Sequence, residues 1–387
     1  MAMGFVSSPG DIGTDVPLYR RYREEFPVTK NVVYLNHAAV APLCRRAAEA
    51  MKGLAQDALE FGSLHYDKWM ATYEGLRVAA ARLIHATPRE IALVKNTSEG
   101  IATVALGISW RSGDRIVAFR EEFPANYFPW ARLAAKGVTI TWLSIYDPLD
   151  AIAEATRGAR LLAVSHVNYL SGFRVDLERI GAICHKEGCF FFVDAIQGMG
   201  VFPIDVERFH IDALSADGHK WMLGPEGHGV LYVRKDRTDE IEPIEFGWTN
   251  VAHYADYASR DMTLRADAGR YECGTLNTIG CFGQRAGIEF LLEVGIDAVC
   301  KAVDARGAEI YDGVRTKGYE VICDRTVENG SGIVSFRHPS VDSRVIVSRL
   351  RDANIAAAPR QGWIRTSPHF YISPDNIARM LDVLPGV

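Results

Sequence analysis

With 387 residues, 48% of them hydrophobic and 24% charged, the chain is long enough for a large core plus a smaller one and has an ordinary globular composition. Its net charge of -5 includes no basic block, which argues against nucleic acid or an anionic membrane as a partner, and no apolar run reaches the ~20 residues that span a bilayer. The seven cysteines are odd in number, widely spread and without zinc-ligand spacing, so reduced thiols and no metal are expected; residues 1–16 lack a signal-peptide pattern, so a cytoplasmic protein is expected.

Residues 1–29 read as a tail or arm. The run Val32-Val33-Tyr34-Leu35 predicts a short strand. Pro42 is expected to open a helix to about 61, because proline's missing N–H costs nothing in a first helical turn. A second helix is predicted over 64–85, where Leu76, Ala80, Leu83 and Ile84 recur at helical spacing. Thr87-Pro88-Arg89-Glu90 has the capping-box pattern and leads into a strand at 91–94. Strand and helix then alternate. Helices are predicted at 98–106, 126–136, 149–155 and 177–186, and strands at 115–119, 138–143, 160–166 and 189–193. Alternation at this interval predicts a mostly parallel sheet with helices on both faces. Phe190-Phe191-Phe192-Val193 is apolar at every position, as a doubly covered strand would be.

Strands at 213–216 and 229–233 follow, and 236–272 is irregular and polar. Beyond it come helices at 278–292 and to about 317, then strands at 319–323 and 332–337. A helix at 344–353, strands at 355–358 and 363–367 and a last helix at 374–384 complete the chain. The expected fold is α/β, with a large domain at 30–260 and a smaller α+β domain at 261–387.

Ligands of open parallel sheets sit outside the carboxyl ends of the strands. Polar residues follow predicted strands at Asn96-Thr97-Ser98-Glu99, Glu122-Phe123-Pro124, His166-Val167-Asn168-Tyr169, Asp194-Ala195-Ile196-Gln197 and Asp217-Gly218-His219-Lys220. Lys220 is held between an apolar strand and a glycine-rich corner, where partial burial would lower its pKa and leave a neutral amine able to form a Schiff base. An ordinary surface lysine on a turn is the other reading. Asp194 ends the most apolar strand, so its charge needs a partner, and a protonated heterocyclic nitrogen is one. A plain helix cap is the alternative there. The helix start at Thr97 and Ser98 offers free N–H groups to a phosphate, or is simply a capped helix.

Four stretches in this order, Asn96 to Gly100, Asp194 to Gln197, Ser215 to Trp221 with Gly224-Pro225, and Tyr271 to Asn277, resemble the class V aminotransferase family. That family comprises fold-type I, pyridoxal 5'-phosphate enzymes: cysteine desulfurases, selenocysteine lyases, isopenicillin N epimerase-like proteins, kynureninases and aminotransferases of small substrates. The resemblance implies that Lys220 holds the cofactor as a Schiff base and moves the substrate's Cα proton. It pairs Asp194 with the ring nitrogen and Gln197 with the phenolic oxygen. Phe123 would stack on the ring, with Thr97, Ser98 and His219 at the phosphate. Thr275 would reach the phosphate of a neighbouring subunit, implying a homodimer with shared active sites. Arg365 resembles the arginine that binds the substrate α-carboxylate, with Asn168 and His37 as further substrate-binding candidates and Arg360 and Trp248 near the pocket.

Two departures from the family stand out. The loop Ala356 to Trp363 lacks the nucleophilic cysteine of desulfurases, which disfavours persulfide chemistry. Asp217 stands where desulfurases place a phosphate-binding serine, and it is expected to orient His219 instead. The expected activity is an aminotransferase acting on a small-molecule amino acid. Its alternatives are a C–S or kynureninase-type C–C lyase and an epimerase. A non-catalytic sensor or scaffold is set against these by the intact Lys220, Asp194 and Arg365.

Overall fold

The computed structural model describes residues 16–387, so residues 1–15 of the expected tail lie outside the described residues. A one-turn helix α1 (Leu18–Arg21) and strand β1 (Val33–Tyr34) precede two long helices, α2 (Arg45–Phe61) and α3 (Tyr66–Leu83). Pro42 does not open α2, which starts three residues later behind an extended Cys44. The segment before it is held elsewhere, since the Ala41 N–H donates to the His219 carbonyl at 2.7 Å.

The alternating region follows: β2 (Ile91–Val94), α4 (Thr97–Gly107), β3 (Arg115–Phe119), α5 (Phe128–Ala131), β4 (Thr139–Leu143), α6 (Leu149–Thr156), β5 (Leu161–Ser165), α7 (Leu177–Glu187), β6 (Phe190–Asp194), β7 (Ala213–Asp217) and β8 (Gly229–Val233). The helix expected at 126–136 is broken into α5 and two 3-10 turns, Pro124–Asn126 and Arg132–Lys136. Pro124 and Pro129 supply no N–H, so a continuous hydrogen-bond ladder cannot form there.

Seven strands pair in the order β2-β8-β7-β6-β5-β3-β4, and only β8 runs against the others. Both faces are covered. Val117, Phe119, Leu162, Val164, Phe191 and Val193 pack on one side; Ile116, Ala118, Leu161, Ala163, Phe190 and Phe192 pack on the other. Successive residues point to opposite faces, so a sheet buried on both needs apolar residues at every position. The run through Phe190 to Val193 is that requirement met.

The remaining elements are α8 (Thr278–Val294), α9 (Ile296–Thr316), β9 (Glu320–Val321), β10 (Val334–Arg337), α10 (Ser343–Asp352), β11 (Ile355–Ala356), β12 (Ala358–Arg360), β13 (Trp363–Thr366) and α11 (Pro374–Val383). Helix α8 packs against both α2 and α3. Strands β12, β13, β10 and β9 form an antiparallel sheet. The single strand expected at 355–358 is two: β11 pairs in parallel with β1, and β12 pairs with β13. That split ties the early chain to the late chain. Phe26, Val33, Leu35 and Ala47 share a buried cluster with Phe290, Phe336, Ile364 and Phe370, so residues on both sides of position 30 pack with the smaller module. No helix among the described residues is long and apolar enough to cross a membrane.

One buried ion pair fixes the segment that leads into α8. Arg77 of α3 meets Glu272 with both side chains less than a tenth exposed, one of its two bonds at 2.9 Å. The same carboxylate accepts the Leu93 N–H of β2 at 2.7 Å. Removing Glu272 leaves the buried Arg77 with only the mostly exposed Glu74, 3.2 Å from its Nε, as an acidic partner and takes the acceptor from the Leu93 N–H, at a cost of up to about 3–5 kcal/mol. Glu272→Ala is therefore expected to lower the unfolding free energy by about that amount in urea denaturation. A loss below ~1 kcal/mol would show that the pair does not anchor this segment.

Candidate active site

Five parallel strands deliver polar residues to one edge of the sheet. Beyond β2 lie Asn96 and the start of α4; beyond β3 lie Glu122 and Phe123. Strand β5 ends at Ser165, β6 at Asp194 and β7 at Asp217, with Gly218, His219 and Lys220 following. With Ala38 to Val40 and with Arg360, Gln361 and Arg365 of the small module, most of these line a cavity of about 650 Å³.

Asp194 is 2% exposed and has no basic side chain within ion-pair distance among the described residues. One oxygen accepts the Ile196 N–H at 3.1 Å. Burial pushes its pKa up to about 6, opposed by that bond and by the charge of Lys220. Lys220 is pushed the other way, down to about 8, by the same burial, while Asp194 favours its charged form and Arg365 disfavours it. Its Nζ lies 6.0 Å from the centroid of the Phe123 ring.

Beside Lys220, Asp217 Oδ1 lies 2.8 Å from His219 Nδ1, so this carboxylate stands against the imidazole. The Asp217 N–H donates to Thr97 Oγ1 at 2.9 Å, tying the end of β7 to the start of α4. Helix α4 can approach this closely because residue 100 is glycine. A Cβ there would stand 2.2 Å from Ser215 Oγ on β7. Asn96 caps α4 by accepting the Glu99 N–H at 2.9 Å. The Glu99 carboxylate turns back to Lys95, 3.1 Å from its Nζ, and leaves the helix start at Ser98 open to the cavity. A helix N-terminus of this kind favours a bound anion. Gln197 also lines the cavity while donating to the Ala38 carbonyl at 3.0 Å and accepting the Trp221 indole N–H at 2.8 Å.

Arg365 is 3% exposed and pairs with no acid among the described residues. It donates to the Tyr169 carbonyl at 2.7 Å, and its Nε has no partner. Burial, with Arg360 nearby, pushes its pKa down to about 10. A buried guanidinium without a counterion is a place made for a carboxylate.

His37, Asn168 and Trp248, expected at the substrate pocket, fall outside this cavity, as does Thr275, whose expected contact is with a neighbouring subunit. His37 is fully buried and spends both ring nitrogens inside the protein, Nδ1 with the Ser367 carbonyl at 2.8 Å and Nε2 with the Tyr371 hydroxyl at 2.6 Å. Asn168 organises the turn that follows β5. Its amide donates to the Glu121 carbonyl at 2.7 Å, and its oxygen accepts the Leu170 and Ser171 N–H groups at 3.0 and 2.8 Å. Both ring nitrogens of His37 are thus taken up, and Asn168 faces the neighbouring cavity and not this one. Thr275 and Trp248 line a separate surface pocket beside Tyr254 and Arg265.

Glu122 stands in one of the stretches that follow predicted strands, but no role was expected for it, and Ser165, at the end of β5, was not singled out. Glu122 accepts the Ser165 N–H at 2.6 Å and also bonds the Ser165 hydroxyl. Burial, with a contribution from Asp194, raises its pKa to about 8. Ser165 is directly opposite Asp194 in the sheet, which places a second, mostly protonated carboxyl close to it. Tyr169 stands in another of those stretches, but its hydrogen bond with Gln361, at 2.7 Å, is not readable from sequence; the two meet only because β12 and β13 fold over the loop after β5. None of the seven cysteines lines the cavity. The Cys323 sulfur is turned to the Ser171 carbonyl, 3.5 Å away.

Comparison with known proteins is consistent with this geometry. The profile of the class V aminotransferase family matches residues 33–365. A "probable cysteine desulfurase" of Pyrococcus abyssi is 32% identical, over 94% of this chain and 96% of its own. An uncharacterized aminotransferase of Bacillus subtilis is 26% identical, over 94% of this chain and 97% of its own. Among solved structures, the apo cysteine desulfurase of Thermococcus onnurineus superposes with a TM-score of 0.87 at 28% identity, covering 94% of this chain and 96% of that one. The architecture is that of fold-type I enzymes.

Pyridoxal 5'-phosphate fits the residues present. The unpaired buried carboxylate of Asp194 suits a protonated ring nitrogen, the open start of α4 suits the phosphate, and the depressed amine of Lys220 suits the aldehyde. Only the neutral amine attacks that carbonyl, so the rate of attachment should rise with pH and level off above the lysine pKa. Cofactor-free protein mixed with pyridoxal 5'-phosphate is expected to gain visible absorbance at a rate whose pH midpoint lies near 8. A midpoint near the ordinary lysine value of 10.5 would show that the cavity does not perturb Lys220.

Proposed function

The chain belongs to the class V aminotransferase family, and we propose that it is a pyridoxal-phosphate-dependent C–S lyase that expels side-chain sulfur from an amino acid by elimination. One observation carries this reading: Lys220, Asp194 and Arg365 converge on a cavity that contains no thiol. Relatives named cysteine desulfurase support sulfur chemistry. Transfer of the substrate sulfur onto the enzyme needs an enzyme cysteine within reach, and none lines this cavity, so in this reading the sulfur departs with its own substituent as the leaving group.

When bound, the cofactor supplies an electron sink for the electron pair left at Cα. Arg365 holds the substrate carboxylate and sets which Cα bond faces Lys220. Asp194 keeps the ring nitrogen protonated, and binding that cation returns the aspartate to its charged form. Lys220, once the substrate amine replaces it, takes the Cα proton. The Cβ–S bond then breaks, and the sulfur leaves with the bonding pair and takes up a proton. The three-carbon remainder takes up water and gives pyruvate and ammonia, so one thiol, one pyruvate and one ammonium form per substrate.

Thr275 lies away from its own chain's Lys220 cavity, on a surface that also exposes Trp248 and Tyr257. The reading assigns it to the phosphate of a second copy, making the homodimer the functional unit. A fully active monomer by solution mass would overturn that assignment.

Incubation with S-methylcysteine tests the reaction. Equal amounts of pyruvate, ammonia and methanethiol are expected. Conversion of the cofactor to its amine form without thiol release would identify a transaminase instead. Arg365→Lys should keep the lysine-bound cofactor absorbance and lower kcat/KM about 10–100-fold, because an ammonium cannot form the paired contact of a guanidinium. An unchanged kcat/KM would remove Arg365 from substrate binding.

A further inference from the structure

A second cavity, of about 510 Å³, lies against the first and shares Pro124, Tyr169 and Gln361 with it. The partition is thin. Gln361 Nε2 donates to the Tyr169 hydroxyl at 2.7 Å, and Phe123 meets the Tyr169 ring edge-on with centroids 5.2 Å apart. Gln361 sits at the tip of the β12–β13 hairpin with φ 49°, followed by Gly362 at φ 84°. One side-chain hydrogen bond and one ring contact are what join its parts.

Three aromatic rings, Tyr127, Phe128 and Tyr146, line the second cavity, with Tyr169 at the partition. Phe128 is 64% exposed and Tyr146 45% exposed, although neither is needed to close a core. Large exposed rings gathered at one cavity mouth mark a binding surface. The acidic groups on the wall are already engaged. The Glu121 oxygens take the Ser144 hydroxyl at 2.9 Å and the Ile145 N–H at 3.0 Å, and Glu122 is held by Ser165. Arg120 is the wall's charged side chain with no hydrogen bond or ion pair among the described residues, which disfavours a basic occupant.

We propose that this second cavity receives the departing half of the substrate, and that the substrate class is cysteine carrying an aromatic group on sulfur. The inference rests on the C–S lyase reading above. The amino-acid head is held at Arg365 and Lys220, and the aryl group passes Tyr169 and Gln361 to lie among Tyr127, Phe128 and Tyr146. Cleavage balances as before: Cα loses its proton to Lys220, the Cβ–S bond breaks toward sulfur, and the aryl thiol leaves protonated. Water converts the remainder to pyruvate and ammonia.

S-phenylcysteine and S-methylcysteine, each added to the holoenzyme, provide the test through two readouts: the shift in cofactor absorbance on binding, and pyruvate release. The phenyl compound is expected to bind about tenfold tighter and to show the higher kcat/KM, and Phe128→Ala or Tyr146→Ala should shrink that ratio about 2–10-fold. Thermal unfolding of each variant controls for folding, and the second variant serves if the first is unstable. Equal binding of the two compounds, or variants that weaken both alike, would overturn the assignment whether or not pyruvate forms. Preferential binding of the phenyl compound with no thiol or pyruvate released would leave the pocket standing and refute the elimination chemistry instead.

Discussion

Everything in this molecule turns on a carboxylate that the fold cannot satisfy alone. Asp194 ends a strand whose other four residues are Phe190, Phe191, Phe192 and Val193, all buried on both faces of the sheet. Desolvation makes its charge costly, and the nearest cation influencing it, Lys220, is itself driven toward neutrality by the same dry surroundings. The two groups pull each other toward ionisation while burial pulls both away from it. A ligand that brings a ring N–H⁺ to Asp194 and a carbonyl to Lys220 relieves both at once. The strain of burying these groups is thus directed at one kind of partner.

The same logic applies across the cavity. Arg365 is buried with its Nε unpartnered, and it reaches this position only through a chain of non-local pairings. Strand β13 pairs with β10 and β12, while β11 pairs with β1 near the start of the described chain. The segment after β1 then runs past Lys220, where Ala41 bonds the His219 carbonyl. The small module is therefore the wall that carries this unpaired guanidinium. Its hairpin tip, at Gln361, is also what separates the reactive cavity from its aromatic neighbour.

The large sheet was legible because its demands are local. Strands covered on both faces must be apolar throughout, and catalytic groups must follow their carboxyl ends, so Lys220, Asp194, Thr97 and Ser98 could be placed from their neighbours in sequence. The prolines at 124 and 129 were visible, yet their effect was underrated, and the helix expected at 126–136 is a short turn of helix between 3-10 turns. Pro42 misled in the opposite direction, since the hydrogen bond that keeps Ala41 out of α2 comes from residue 219. His37 and Asn168 failed for one reason. A polar residue near a motif is silent about whether its atoms are already engaged, and the partners of His37 lie 330 and 334 positions away. The bond between Tyr169 and Gln361, 192 positions apart, was invisible on the same ground.

The missing cysteine was the sequence feature with the greatest consequence, because the proposed elimination rests on it. The structure leaves no substitute: Cys323 is turned toward the Ser171 carbonyl, and no cysteine lines the cavity. What remains is a lysine, an acid and a buried arginine around an open centre. Borohydride reduction of the protein with bound pyridoxal 5'-phosphate, followed by peptide mass spectrometry, addresses that centre most directly. A single adduct on Lys220, reduced in yield by Asp194→Asn, is the result this structure predicts. An adduct on another lysine, or none, would contradict it.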